Sequence, residues 1–344
     1  MSRRRAWIVG AGKRVRETAL PAFLSLPGEF EVAGVLARGA RELDAAGRRF
    51  RVRALADLAP GELAAGDLVY VAVGKDAVPL VLGQLVRLDR ARLELLIDTP
   101  VLRFKHLRHR ALLDGWARAG VAEDTARLPW YETARAAAGE VASVVFDRAA
   151  YAYHGLAQAK ALASASRVLR ARRAAMGEGR GRREIELAGP RPGSIVRATV
   201  LEPRDYALGR LVVAGARATV ADRRDAGDPP GSLLLESIVE GGRCVGFRAG
   251  DALARLAPEE AELARGDDPR ASVTARMESM KRIGFRRLLA SIAAGEGAYP
   301  LADGLDDMAV DWFLERFGRW KRTALTDVRS GLARAVWGTA GRFS

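Results

Sequence analysis

Four short stretches of this chain hold residue types whose spacing could do chemistry. "VGAGKRVRE" sets Gly10 and Gly12 directly after an apolar run, with Lys13 and Arg14 following. Two glycines between a strand and a helix leave backbone amides at the helix N-terminus facing outward, where a phosphate group is readily held. "LLIDTP" closes a second apolar run on Asp98, Thr99 and Pro100, and "VAEDTARLPW" closes a third on Glu123 and Asp124. Paired acids at such a place can move protons or hold a cationic substrate; equally, they can cap the next segment and pair with arginines. "YAYHGLAQAKAL" puts Tyr151, Tyr153 and His154 together at the start of a helical pattern, where a histidine either exchanges protons or serves packing. His106 and His109 stand three apart among arginines and read as solvated helix positions. With no carboxylate partners to complete a ligand set, no metal is expected.

The elements that must position these residues follow from hydrophobic periodicity. Residues 6–12, 30–38, 68–74, 93–98 and 120–124 are near-continuous Val/Ile/Leu/Ala runs, the mark of strands buried on both faces. Helical patterns alternate with them, including "ETALPAFLSL", "RELDAAGRRF", "VPLVLGQLVRL" and "FKHLRHRALLDGWARA". Strand–helix alternation specifies a doubly wound parallel sheet, whose ligands sit at the carboxyl ends of the strands. A long helix is expected over "YAYHGLAQAKALASASRVLRARRAAM". Strand-like stretches without helices come next, from "REIELAG" to "SLLLESIVEGGRCVGFRAG", suggesting a largely antiparallel open sheet in an α+β domain. Helices close the chain from "RMESMKRIGF" through "DDMAVDWFLERFGRWKRTALTDVRSGLARAVW". The expected domains are 1–130 and 131–344, with the closing helices packing back on the first.

Composition limits the function classes. The 344 residues are 49% hydrophobic and 28% charged, a globular balance long enough for two cores. Cys244 stands alone, so no intrachain disulfide forms, and the chain reads as cytoplasmic. The first apolar run stops at Val9, too short for a signal or a membrane span. The net charge of +14 invites a nucleic-acid reading, but the basic residues are spread along the chain. The densest cluster, residues 167–184, reads as a solvated helix terminus, and no nucleic-acid partner is expected.

At the carboxyl end of the second strand stands Arg38, with no acid between Glu31 and Glu42 to hold a ribose hydroxyl. An arginine there suits a 2′-phosphate, which favours NADP while leaving NAD open.

These residues resemble the Gfo/Idh/MocA oxidoreductases, named for glucose–fructose oxidoreductase and inositol dehydrogenase. The resemblance runs through "IVGAG…LPAF", "FEVAGVLAR", "DLVYVAVG", "LLIDTP" and "VAEDTARLPW", and architecturally to "GLDDMAVDWFLERF". It implies an N-terminal Rossmann domain and a second domain whose open sheet serves substrate binding and assembly, as a homodimer or homotetramer. It implies nicotinamide-dependent hydride transfer on a small carbonyl, alcohol or imine, such as a sugar derivative or secondary metabolite. Val73, Gly74, Lys75, Thr99 and Pro100 would join Gly10, Gly12, Lys13, Arg14 and Arg38 around the cofactor. His154, Tyr153, Asp98 and Thr99 would be catalytic, and Glu123, Asp124 and Tyr151 would face substrate. The family's Glu-Lys-Pro is Asp-Thr-Pro here, with a proline often preceded by a cis bond. Thr99 cannot carry the positive charge that steadies a developing alkoxide. Lys75 is the better-placed substitute cation, and Lys105 the weaker one. The family's aspartates flanking the histidine are Ala150 and Ala157. These losses keep two alternatives open: a degenerate binding or regulatory subunit, or non-redox chemistry with a retained nicotinamide.

Overall fold

A computed structural model describes residues 3–165, 167–176, 180–203, 205–265, 268 and 271–317. Within it the chain forms two compact units. One comprises residues 3–124 with Phe285–Met308; the other comprises the described residues of Thr125–Gly284 together with 309–317. The expected division lay at 130/131.

The first unit is built on β1 (Arg4–Val9), β2 (Phe30–Ala37), β3 (Arg41–Ala45), β4 (Arg48–Ala54), β5 (Leu68–Val71), β6 (Glu94–Asp98) and β7 (Arg118–Ala122). Their order is β7-β6-β5-β1-β2-β4-β3, and the short strand Tyr299–Pro300 adds antiparallel to β7. From β7 to β4 every pairing is parallel, which is the doubly wound order in which the sheet reverses between β1 and β5. The apolar runs account for this: all four residues of β5 and the central three of β6 are buried. A π-helical turn, Val15–Ala19, continues into α1 (Leu20–Leu24), and α2 (Val78–Leu85) follows β5.

Two expected crossover helices take other forms. "RELDAAGRRF" is the hairpin β3–β4, because Ala46 and Gly47 adopt φ of 49° and 70°, the left-handed pair that closes a two-residue turn. Leu43 and Ala45 are buried while Glu42 and Asp44 are exposed, a period of two. "FKHLRHRALL" is wound as a 3₁₀ helix, Phe104–Leu113. Leu107 and Leu113 are both buried, and their multiple-of-three spacing lines them up on a 3₁₀ face.

In the second unit, α3 (Tyr131–Ala138) and α4 (Ala152–Ala163) pack on a sheet of β8 (Val141–Asp147), β9 (Val168–Met176), β10 (Arg180–Ala188), β11 (Ile195–Leu201), β12 (Arg210–Gly215), β13 (Thr219–Ala221) and β14 (Leu233–Leu234). The order is β14-β13-β12-β8-β11-β10-β9, mostly antiparallel. β15 (Glu236–Glu240), β16 (Arg243–Ala249) and β17 (Ala252–Arg255) form a separate antiparallel sheet, followed by α5 (Pro258–Leu263). Gly155 lets α4 lie against β11, since a Cβ there would stand 2.7 Å from Val200.

The long helix expected from Tyr151 ends at Ala163, where Ser164 turns left-handed at φ 50°. Its second half is strand β9. The cluster over 167–184 is therefore no helix terminus: Arg170 pairs with Glu186 and Arg172 with Glu184 across the β9–β10 ladder. Lys160 is buried, at 8% exposure.

α6 (Met277–Ala293) and α7 (Leu301–Phe317) close the described chain, each contributing residues to both units. The helical reading beyond Phe317 lies outside the described residues. Among those described, no helix is long and apolar enough to cross a membrane, and no group of three or more His, Cys, Asp or Glu is placed to hold a metal.

Candidate active site

The glycine turn is fixed by its neighbours. Gly10 has φ +134°, and a Cβ on it would stand 2.0 Å from the Ala72 carbonyl oxygen, so no other residue fits. Its amide donates to the Leu36 carbonyl at 2.7 Å, and the Ala72 amide donates to that of Val9 at 2.8 Å. The turn is thereby pinned between the ends of β2 and β5. Helical backbone starts at Lys13, and the π-helical turn sets in at Val15, where the full fingerprint has its third glycine. Val15 is instead buried in the core. First-turn amides have no acceptor within their own helix. Around them, Gly12 and Gly74 have no side chain, and an added Cβ at either would meet nothing within 4 Å. Open space beside outward-facing amides fits a dinucleotide's diphosphate.

Arg14 is held by two carboxylates. Its Nη1 donates to Asp124 Oδ2 at 2.6 Å and its Nε to Asp98 Oδ1 at 3.2 Å, with the guanidinium 5.2 Å above the Phe285 ring. Burial opposes its charge, but Asp124 and then Asp98 outweigh this and hold its pKa well above the ordinary value. Asp98 also accepts from Tyr70 Oη at 3.4 Å and lies 3.5 Å from Lys75 Nζ. Burial, with Asp98 beside it, pushes the Tyr70 phenol up. Burial pushes the Lys75 ammonium down, opposed by Asp98 and aided by Arg14. One charged cluster thus runs along the carboxyl edge from β1 to β7.

The Thr99–Pro100 bond is cis, as the resemblance implied, and both residues are half-buried. Val73 is half-buried and Lys13 exposed, its Nζ 3.7 Å from Glu17. Arg38 is exposed just past β2. Glu123 and Asp124 are each 2% exposed, so Asp124 serves as Arg14's counter-ion rather than offering a solvated carboxylate. Lys105 pairs with Asp76, which also takes Arg103 and faces His106 at 3.7 Å.

The second unit gathers its own group. Tyr151 precedes α4 and is 43% exposed, its ring 5.8 Å from that of Tyr206. The Tyr153 and His154 rings lie 4.3 Å apart, tilted by 41°, on the first turn. Lys281 Nζ lies 5.2 Å from the Tyr206 ring centroid. Burial raises the Tyr206 phenol, and the lysine opposes this. Ala150 and Ala157 are both buried, at 1% exposure.

Sequence reasoning missed Tyr70, Phe285, Tyr206, Lys281 and Arg41. Arg41 Nη2 donates to the Ala11 carbonyl of the glycine turn at 3.0 Å. Its signal was present: Arg41, Leu43 and Ala45 share one strand face.

Solved structures with this architecture include two dehydrogenases and a 3-ketoreductase. A dehydrogenase (MviM) from Clostridium difficile superposes with a TM-score of 0.53 at 12% identity, over 92% of this chain and 98% of its own. Levoglucosan dehydrogenase in complex with NADH and levoglucosan gives 0.52 at 13% identity, over 90% and 95%. A mutant of KijD10, a 3-ketoreductase from Actinomadura kijaniata, in complex with TDP-benzene and NADP, gives 0.50 at 15%, over 92% and 98%. The chain has their fold. At these identities the likeness is one of architecture, and it agrees with the Gfo/Idh/MocA resemblance at that level. No protein-family model and no curated protein matches the sequence.

Proposed function

We propose that this chain is a nicotinamide-dependent oxidoreductase, preferring NADP, that moves hydride to or from a small carbonyl, alcohol or imine, such as a sugar derivative or secondary metabolite. The observation that carries the reading is the Gly10 turn on the first strand of a doubly wound sheet, with clear space at Gly12 before a helix N-terminus.

In this reading the first-turn amides at Gly12 and Lys13 hold the diphosphate, and Arg38 pairs with the 2′-phosphate. Val73, Gly74, Thr99 and Pro100 border the nicotinamide end. When bound, the nicotinamide supplies or accepts the hydride. Lys75 provides the positive charge that Thr99 lacks, held by Asp98 at 3.5 Å. Asp98 orients Lys75 and Arg14, while Thr99 offers a hydroxyl to substrate. Glu123 and Asp124 set the charge at the β7 end. His154, with the Tyr153 ring beside it, is the acid–base group of the second unit, and Tyr151 lends substrate an exposed ring face. Assembly as a homodimer or homotetramer would use the second unit's sheet, where Arg170, Arg172, Glu184 and Glu186 line one face.

A binding or regulatory role is the second reading. It is favoured by the engagement of both Asp98 and Asp124 with Arg14, which leaves these carboxylates poorly suited to exchange protons.

Thermal denaturation with NADPH and with NADH tests the first reading. A ligand specific for the native state raises the melting temperature, by more for the tighter binder. Stabilisation by NADPH above that by NADH is expected, and stabilisation by neither removes the proposal. Turnover of a carbonyl substrate that disappears in Lys75→Met, with nucleotide stabilisation intact, separates the enzyme from the binding subunit.

A further inference from the structure

The hairpin β3–β4 stands where a doubly wound fold ordinarily places a crossover helix, and it changes which side chains reach the glycine turn. Side chains alternate along a strand, so Arg41 shares its face with the buried Leu43 and Ala45, while Glu42 and Asp44 lie on the other. The arginine is thereby carried over the turn, where Nη2 bonds the Ala11 carbonyl.

Two arginines of β4 are held by carboxylates, whereas Arg41 is not. Arg49 stands 3.5 Å from Glu42 and 3.3 Å from Asp44, and Arg53 stands 2.6 Å from Glu62. Among the described residues Arg41 has no carboxylate partner; a neutral carbonyl takes one of its five N–H donors. Arg38, exposed past the end of β2, has none either. A guanidinium fixed at one nitrogen keeps the rest of its planar fork available, a shape that matches a phosphate in two parallel bonds.

We infer that Arg41 is the residue that discriminates the 2′-phosphate of the adenosine ribose, working with Arg38 as the second cation. This rests on the reading of the first unit as a dinucleotide site and adds the element that sets its specificity. The hairpin delivers a second, positioned guanidinium to the end of β2, so the 2′-phosphate is gripped between two cations. A 2′-hydroxyl finds no acceptor on either.

The test is fluorescence titration of wild type, Arg41→Gln and Arg41→Ala with NADPH and NADH, with adenosine 2′,5′-bisphosphate and 5′-AMP as nicotinamide-free probes. Glutamine keeps an N–H for the Ala11 carbonyl and removes the charge and the fork. Bonds to a charged group of this kind correspond to about ten- to hundredfold in affinity. Arg41→Gln is expected to weaken NADPH and the bisphosphate by about that factor while NADH and 5′-AMP stay within about twofold. Equal weakening of all four ligands overturns the inference, because Arg41 would then merely brace the turn. An unchanged NADPH-to-NADH ratio in both variants overturns it as well. A wild-type protein that binds neither nucleotide removes the dinucleotide site itself, and the inference with it.

Discussion

Arg14 Nη1 and Asp124 Oδ2 stand 2.6 Å apart, joining the first turn after the glycines to the end of β7. The arginine side chain is 24% exposed and the aspartate 3%, with Asp98 completing the bridge at 3.2 Å. Water reaches one side of the guanidinium and almost none of the Asp124 carboxylate, so removing either partner strands a charge the other was neutralising.

Asp124→Asn should therefore destabilise the first unit. Breaking a fully buried pair costs about 3–5 kcal/mol, and the partial exposure of Arg14 brings the expected loss nearer 2–3. Urea unfolding followed by Tyr70 and Trp7 signals reads it. A loss below about 0.5 kcal/mol would place the pair among ordinary surface bridges.

Gly10 and Gly12 should respond differently to the same added methyl group. Gly10→Ala sets a Cβ 2.0 Å from the Ala72 oxygen at φ +134°, and a cost of about 2–4 kcal/mol is expected. Gly12→Ala meets no protein atom within 4 Å, so its melting temperature should stay near wild type. Its NADPH affinity should nonetheless fall, because the methyl group occupies the space assigned to the diphosphate. Unaltered affinity in a stable Gly12→Ala protein argues against that placement.

Glu62 supplies a pH-dependent contribution whose sign is set by its partners. The Arg53 bond, then the Ala59 amide, hold its carboxyl down at about 2, against an ordinary 4.5. A depressed folded-state pKa means stability that is present above 4.5 and is lost as pH falls toward 2. Carboxylate NMR should show Glu62 titrating at about 2, moving up toward 4.5 in Arg53→Ala. A wild-type midpoint already near 4.5 would mean that the ion pair does not persist in solution.

Among the described residues, Arg276, 4% exposed just before α6, has no hydrogen-bond partner on any of its three side-chain nitrogens. Arg276→Met keeps the stem and removes a desolvated charge, so the second unit should gain about 1–3 kcal/mol. Calorimetry checks this, and a lowered melting temperature would reveal a counter-ion for the guanidinium.

The hairpin and the 3₁₀ segment show why some of this fold was hard to read. In "RELDAAGRRF" the apolar residues Leu43, Ala46 and Phe50 fit a helical spacing, while Leu43 and Ala45 fit a strand. The left-handed pair at Ala46 and Gly47 and the cross-strand ladder decide for the strand. Likewise "RVLRARRAAM" has helix-forming residues throughout. Arg170 and Arg172 face glutamates of β10, partners supplied by the next strand.

The sequence alone settled what local chemistry can settle. Continuous apolar runs determined the parallel strands, because a strand covered on both faces has no place for polar residues. Gly10, at the end of the first, marked the turn that only glycine can make. The tertiary structure decided the partners of each charge. Arg14 meets acids 84 and 110 residues away, and Arg41 meets a carbonyl 30 residues away. With acids and arginines plentiful, nothing in linear order distinguishes one ion pair from another. The folded sheet edge does so by bringing the ends of β1, β6 and β7 within the reach of one guanidinium.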